Sequence, residues 1–358
     1  MQMGKIIRVT MADVGKSVGV SQTAVSLALR NHPSIPASTV ERIRAAAREL
    51  GYQPHAGISS LMAQIRSKRP VKFRATIAAV TNWHHPGGFG AFPAWDQQWR
   101  GARKRANELG YVLEEFWIGR NGLSAPRLTN ILQARGIEGV IVFPLSASRP
   151  LPLAWEKFAS VAIGFTLETP LLHRVVTAHF DAVLIALEQL HARGYRRIGI
   201  ALDDQLTQPV HRSWLAAFCG FGFEKGKIGP AAIARLPAVG AKSALLRWAR
   251  SFRPDAVLNG GSYPLRRWLR ELRLSAPEDV GIAALADLRP DEGCARINEG
   301  WEHVGAAAVD GVVGQLSRGD RGIPLHQVVS VIRGEWIEGN SVRPPQAGLE
   351  ASLLIRQK

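Results

Sequence analysis

Residues 10–31 read TMADVGKSVGVSQTAVSLALRN, and their spacing decides the organisation of the N-terminal part of the chain. Met11, Val14 and Val18 recur at i, i+3 and i+7, the period that lays an apolar stripe along one side of a helix. Thr10 is an N-cap residue, and Asp13 three positions on meets the free amides and the positive end of that helix. Gly19-Val20 supplies a turn. Ser21 caps a second helix whose inward face is Ala24, Val25, Ala28 and Leu29, leaving Gln22, Thr23, Ser26 and Leu27 outward. Two short helices joined by a Gly turn form a helix-turn-helix, and an outward face of short polar groups suits base edges in a DNA major groove.

Charge points the same way. Up to Arg74 there are twelve Lys and Arg against Asp13, Glu41 and Glu49, a net of +9, whereas the whole chain carries +16. Positive charge at this density attracts phosphates by counterion release. A third helix is expected over Thr39–Leu50, with Ser38 and Glu41 spaced as a capping box and Val40, Ile43, Ala47 and Leu50 as its buried face. Residues 1–53 are thus expected to form an all-α headpiece. Residues 54–74 hold a short helix, GISSLMAQIR, and a basic, Pro-bearing linker.

At 358 residues and 46% apolar content the chain is long enough for more than this headpiece. It has no 18-residue apolar run and no signal-peptide core, so a cytoplasmic protein without a membrane partner is expected. Cys219 and Cys294 stand apart and outside metal-ligand spacing. They read as small buried hydrophobes in a reducing compartment.

From Ala75 the pattern alternates strands and helices. Strands are expected at 75–80, 111–118, 139–144, 160–165, 196–202, 255–260, 280–285 and 327–332. Helices are expected at Trp95–Leu109, Arg127–Ala134, Ala182–Ala192, Trp214–Phe221, Ala241–Phe252, Leu265–Leu272 and His303–Leu316. Continuous apolar strands between helices indicate parallel sheets covered on both faces, and this many units indicate an α/β core of two doubly wound subdomains over residues 75–345. Ligands of such sheets sit at the carboxyl ends of the strands, here between the lobes. Residues 346–358 read as a peripheral tail.

The stretch from Thr10 to Pro54, through Asp13-Val14, Gly19-Val20-Ser21, Val25-Ser26, Asn31 and Leu50-Gly51-Tyr52, resembles the headpiece of the lactose-repressor/galactose-repressor family of bacterial transcriptional regulators. GYRRIGIAL (194–202), PDAVLNG (254–260), APEDV (276–280) and VGAAAVDGVVGQL (304–316) resemble that family's effector-binding core, which is similar to periplasmic sugar-binding proteins. The resemblance implies a homodimer reading a near-palindromic operator in double-stranded DNA, acting as a repressor and switched by a small molecule, a sugar or another metabolite. It implies base contacts from Gln22, Thr23 and the position of Leu27, and phosphate contacts from Thr10, Ser21 and Asn31. A hinge helix follows in which Leu61, beside Ile58, wedges into the minor groove.

Departures accompany the match. Leu27 replaces a common arginine and offers only apolar contact, for instance to a thymine methyl; its alternative use is partial burial against the third helix. Ala286 stands where the family has a sugar-clamping carboxylate, Gly260-Gly261-Ser262 replaces an Asn-Asp pair, and Ala178-His179 replaces Asp-Asn. Arg212 matches a ligand-binding arginine. The effector contacts expected are therefore Trp83, Phe89, Trp95, Phe143, Arg212, Ser262 and Asp287, for a ligand more anionic or more apolar than a typical sugar. The aromatics could equally cap the lobe.

Enzymatic readings fail on spacing. Gly15-Lys16-Ser17 lacks the earlier Gly and the preceding strand of a P-loop, and Gly220-x-Gly222 lacks the third Gly of a dinucleotide fingerprint. His84-His85 reads as a polar loop pair, so no metal and no cofactor is expected, and no nucleophile elbow stands out. Two other readings remain: a DNA binder whose core has lost ligand sensing, and a solute-binding protein.

Overall fold

The computed structural model describes residues 10–29, 35–50, 75–83, 85–119, 122–146, 150–204, 208–225, 229–286 and 292–345. Asn31, the hinge with Ile58 and Leu61, Asp287 and the tail after 345 lie outside the described residues.

The headpiece is three helices, α1 (Met11–Val18), α2 (Gln22–Leu29) and α3 (Ala37–Glu49). Thr10 and Asp13 form a reciprocal capping box: the Asp13 amide donates to Thr10 Oγ1 at 3.3 Å and the Thr10 amide to the Asp13 carboxylate at 2.9 Å. Gly19 closes α1 at φ 70°, the left-handed region where glycine carries no steric cost. Ser21 Oγ accepts from the Ala24 amide at 3.1 Å, as an N-cap should. Val14, Val25, Ala28 and Ile43 form the sealed centre, ringed by Met11, Val18, Val20, Leu29, Ile35 and Val40.

Two expectations for α3 need correction. The helix starts at Ala37 behind Pro36, with no side-chain cap bond, so the Ser38–Glu41 box is not formed. Leu50 is 40% exposed at the helix end, and Ala46 takes the buried position instead.

The first lobe is built on a six-stranded parallel sheet. Its strands are β1 (Ala75–Thr81), β2 (Tyr111–Trp117), β3 (Gly139–Val142), β4 (Ala159–Ile163), β5 (His173–Thr177) and β11 (Val329–Ile332), in the order β11-β5-β4-β3-β1-β2. The second sheet holds β6 (Ile198–Asp203), β7 (Ile233–Leu236), β8 (Ala256–Gly260), β9 (Gly281–Ala284), β10 (Ala295–Asn298) and β12 (Glu335–Ile337). Its order is β12-β10-β9-β8-β6-β7, and β12 alone runs antiparallel. Helices α4 (Pro93–Glu108) and α10 (Trp301–Arg318) cover one face of the first sheet, and α5 (Ala125–Ala134) the other. In the second lobe α6 (His179–Ala192) and α7 (Gln208–Lys225) oppose α8 (Ala241–Phe252) and α9 (Leu265–Leu269). A Cβ at Gly101 or Gly305 would fall into the backbone of the facing helix, so α4 and α10 pack backbone to backbone.

Strands β5, β7, β10 and β12 were not legible as strands. They are short, and β5 carries a buried arginine: Arg174 is 5% exposed and donates to the Gly164 and Leu167 carbonyls. Helix α7 runs well beyond the expected Trp214–Phe221, and Cys219 on it is exposed rather than buried; Cys294 is buried as expected.

Candidate DNA-reading helix and interlobe site

Because Val25 and Ala28 point into the headpiece core, the geometry of α2 turns Gln22 and Thr23 to solvent, while Leu27 is half-buried. The Arg42 guanidinium donates to the Val18 carbonyl at 3.2 Å and ties α3 to the turn before α2. Lys16 and Arg42 are exposed, which keeps positive charge on this unit without a described carboxylate partner other than the Coulombic pull on Asp13. The hydroxyls differ in what they have left to give. Thr10 Oγ1 donates to Asp13 at 2.6 Å, so a phosphate could take that proton only by opening the capping box. Ser21 Oγ is used as an acceptor, and its own proton is uncommitted among the described residues. The Thr10 hydroxyl, and then its amide, hold the Asp13 carboxyl below the usual aspartate value.

Between the lobes, the expected aromatic residues divide. Trp83 is buried, donates from Nε1 to the Pro144 carbonyl at 3.0 Å, and accepts from Trp117 Nε1 through its own carbonyl at 2.5 Å. Phe89 stacks on Trp99 with centroids 4.2 Å apart and meets Phe143 edge-on at 5.6 Å. Phe143 is 1% exposed. These three side chains are committed to packing the first lobe. Trp95 is half-buried and reaches the other lobe: it packs on a cluster of Ala94, Ala286 and Trp301. Ala286 thus fills an apolar corner between lobes. Arg212 and Ser262 are exposed on the second lobe, and His85 is exposed on the loop leading to α4.

The structure also brings together residues that spacing could not. The chain crosses between lobes after β5, after β10 and after β11. Glu299, 4% exposed in the second crossing, accepts from Thr177 Oγ1 of the first at 2.9 Å, and His179 Nδ1 lies 3.3 Å from the same carboxylate oxygen. Ala178 donates its amide to Ile332 of the third crossing at 2.8 Å. His179 meets Trp214 edge-on at 6.1 Å, and the Trp214 Nε1–H, on a side chain 2% exposed, has no hydrogen-bond partner among the described residues. Across the second lobe, Asn259 Nδ2 donates to the Tyr263 carbonyl at 2.8 Å. Burial, and then the neighbouring Asp203, push the Tyr263 phenol up to about 12. The Glu299, His179 and Trp214 side chains could hold a hydrogen-bonding ligand, as an acidic acceptor, an imidazole and an indole donor, whereas the Tyr263 phenol is already bonded to Asp203.

The chain matches two family models, "Bacterial regulatory proteins, lacI family" over residues 10–55 and "Periplasmic binding protein-like domain" over residues 187–342. Among curated relatives, the HTH-type transcriptional regulator reg1 of Streptomyces lividans is 27% identical over 56% of this chain and 56% of the relative. The lactose operon repressor of Escherichia coli (strain K12) is 24% identical over 54% of this chain and 50% of the relative. The chain spans about half the length of the curated relatives it matches. Two solved structures share the fold. The transcriptional regulator CelR–cellobiose complex superimposes with a TM-score of 0.60 at 21% identity, covering 93% of this chain and all of that one (100%). The lac repressor dimer bound to operator and the anti-inducer ONPF gives 0.55 at 19% identity, covering 94% of this chain and 100% of that one. Headpiece, twin parallel sheets and both matches agree: the chain joins a lacI-family helix-turn-helix domain to a periplasmic-binding-protein-like core.

Proposed function

We propose that the chain is a sequence-specific DNA-binding transcriptional regulator, a repressor that binds a near-palindromic operator as a homodimer and responds to a small molecule held between its lobes. The observation that carries this reading is the exposed pair Gln22 and Thr23 on the first turn of α2, a helix whose opposite face is sealed into the headpiece core. Amide and hydroxyl groups in that position suit adenine and other base edges in the major groove. Leu27 adds apolar contact, Ser21, Thr10 and Asn31 contact phosphate, and Ile58 and Leu61 of the linker enter the minor groove. Domain limits of 1–53, 54–74 and 75–345 follow from this assignment. The matched lacI-family model and the curated relatives are described as regulators, which supports this reading over an enzyme or a solute carrier. Among the described residues no helix is long and apolar enough to cross a membrane, and the proposed site of action is the chromosome in the cytoplasm.

Selection of bound sequences from a random duplex library by the full-length protein tests the reading. A palindromic consensus is expected, and Gln22→Ala or Thr23→Ala should each relax discrimination at defined base pairs by about 1–3 kcal/mol. Selection without a consensus, or unchanged discrimination in both variants, would overturn it.

A second reading has its own support. Ala286 sits in apolar contact with Ala94, Trp95 and Trp301, where the resemblance leads one to expect a ligand-binding carboxylate. A core closed by such contacts could regulate without an effector. Thermal-shift screening decides between the two, because a ligand that binds the folded core raises its melting temperature by mass action. Stabilisation by a metabolite supports the first reading, and its absence across sugars, acids and aromatic metabolites supports the second.

A further inference from the structure

Over residues 75–358 the chain holds 33 Lys and Arg against 26 Asp and Glu, a net of +7. Residues 233–273 alone hold nine Lys and Arg against Asp255 and Glu271, again +7, so one segment carries the entire positive excess outside the headpiece and linker. That segment forms β7, α8, β8 and α9. Helices α8 and α9 share one hydrophobic cluster on the same face of the second sheet, and Lys242 of α8 is ion-paired with Glu271 in the turn that follows α9.

Arg235 on β7 faces Asp204 at 3.8 Å, and six of the other cations form two rows. Arg247, Arg250 and Arg253 recur every three residues along α8 and its end, and Arg267, Arg270 and Arg273 do the same along α9 and the turn after it. All six are exposed, and among the described residues none is in an ion pair. Arg266 lies beside them and is anchored, donating to the Glu292 carbonyl at 3.2 Å and to Asn340 Oδ1 at 2.7 Å.

Backbone conformation adds an independent observation. Among the described residues only two non-glycines have positive φ, and they are Arg253 at 51° and Arg273 at 58°. Arg253 terminates α8 and Arg273 terminates the short 3-10 turn after α9, at positions where glycine or asparagine sits without steric cost. A cation near a helix C-terminus is favourable, but Arg250 and Arg270 already fill that role in the final turns. Strain retained at a position that local structure does not require points to a use for the side chain.

We propose that this face of the second lobe is a contact for the phosphate backbone of duplex DNA, independent of sequence and separate from the headpiece. Guanidinium forks take phosphate oxygens bidentately. No large apolar side chain of α8 or α9 is exposed, whereas a protein partner's interface is built around an apolar or aromatic centre. Phosphate contacts need no such centre.

The test uses the full-length protein and a short duplex lacking the operator, with binding measured across a salt series. Each phosphate contact contributes about 0.9 to the slope of log K against log salt. R247Q/R250Q/R267Q/R270Q should therefore reduce that slope by about 2–4. R103Q/K104Q/R127Q/K157Q, which removes the same charge from exposed positions of the first lobe, should change it by less than about 1. An unchanged slope in the first variant, or equal losses in both, overturns the proposal. So does a first variant that keeps duplex binding but loses retention on poly-glutamate, the outcome expected if the face docks an acidic protein. R253G/R273G separates charge from folding: it should melt at or above the parent temperature while its slope falls by about 2. Parent-like binding by that variant would refute the role given to these two arginines.

Discussion

Gly15 is the residue on which the geometry of the headpiece turns, and its replacement by alanine sets two effects against each other. In a helix interior alanine is favoured over glycine by about 1 kcal/mol. A Cβ at residue 15, however, would lie 2.6 Å from the Val20 carbonyl oxygen and 3.4 Å from Val25 Cγ2. The obstructing atom is backbone, held by the Val20 amide's own bond to the Gly15 carbonyl at 2.9 Å, so it cannot swing away as a side chain would. Reaching ordinary contact requires the turn to move by about 0.8 Å. Overpacking of this kind costs about 1–3 kcal/mol, and with a backbone obstacle the upper part of that range applies. Gly15→Ala should therefore destabilise the headpiece by about 1–2 kcal/mol after the gain in helix propensity. In so small a domain that lowers the melting temperature by about 4–8 °C per kcal/mol. The same movement displaces Gln22 and Thr23 by a distance comparable to the whole tolerance of a hydrogen bond, so operator affinity should fall too. All ten tryptophans lie between Trp83 and Trp336, so tryptophan fluorescence follows the core alone while far-ultraviolet circular dichroism follows both units. The early dichroism transition should shift and the fluorescence transition should not. Gly314→Ala in α10 is the matched control: its Cβ would meet only the mobile end of Arg318, and it should stabilise the core by about 0.5–1 kcal/mol. A Gly15→Ala headpiece that melts at or above the parent would refute the reasoning.

Three further outcomes are expected. The Asp13 carboxyl is held below its ordinary value in the folded headpiece, so its contribution is present above the unfolded aspartate pKa and is lost as pH falls through the lower folded one. Headpiece melting should accordingly drop on acidification below about pH 4, and Asp13→Asn should flatten that dependence. Ala286→Asp would place a carboxylate among Ala94, Trp95 and Trp301 with no described partner, and should destabilise the core by about 3 kcal/mol or more. An unchanged fluorescence melt would mean that this corner is open to water. Phenolate absorbance from Tyr263 should emerge only near pH 12, and Asp203→Asn should bring it to lower pH; a titration near the ordinary tyrosine value would contradict the packing described.

The headpiece was legible almost entirely in sequence because its determinants are local. Thr10 with Asp13, Gly19, and Ser21 with Ala24 are capping contacts within three residues, or one glycine whose φ is positive. The misreadings have local causes of another kind. Ser38 and Glu41 have the right spacing for a capping box, but Pro36 presets the backbone and starts α3 before Ser38 can act as N-cap. In the core, long apolar strands such as ATIAAV at residues 75–80 announced themselves, whereas HRVVT at 173–177 did not. Its Arg174 is buried because two loop carbonyls satisfy it, which no hydropathy pattern encodes. The interlobe residues were the least legible. Trp83, Phe89 and Phe143 have the composition of a ligand platform, yet their rings are spent on one another and on the first lobe. Thr177 and Glu299, which do meet, are 122 positions apart.

Under the proposed function, that meeting bears on how a ligand between the lobes would transmit a signal. A ligand shifts an equilibrium only by binding two arrangements unequally. Glu299 lies two residues before the start of α10, and Trp301, the first residue of α10, packs against Ala286 of the opposite lobe. Helix α10 is in turn packed backbone to backbone on α4 at Gly101 and Gly305. A group that displaced Thr177 or His179 from Glu299 would therefore act on the start of α10. The pair α10 and α4 would respond as one body, carrying Trp301, Ala94 and Trp95 toward or away from Ala286 together. The hydrogen-bonded crossing and the apolar corner meet at the start of α10, two residues apart. Loosening α4 from α10 by Gly305→Ala should consequently uncouple them, so that substitution at Glu299 no longer alters the environment of Trp301. In the parent protein the same substitution should change its emission. Equal emission changes in both backgrounds would show that the signal travels another way.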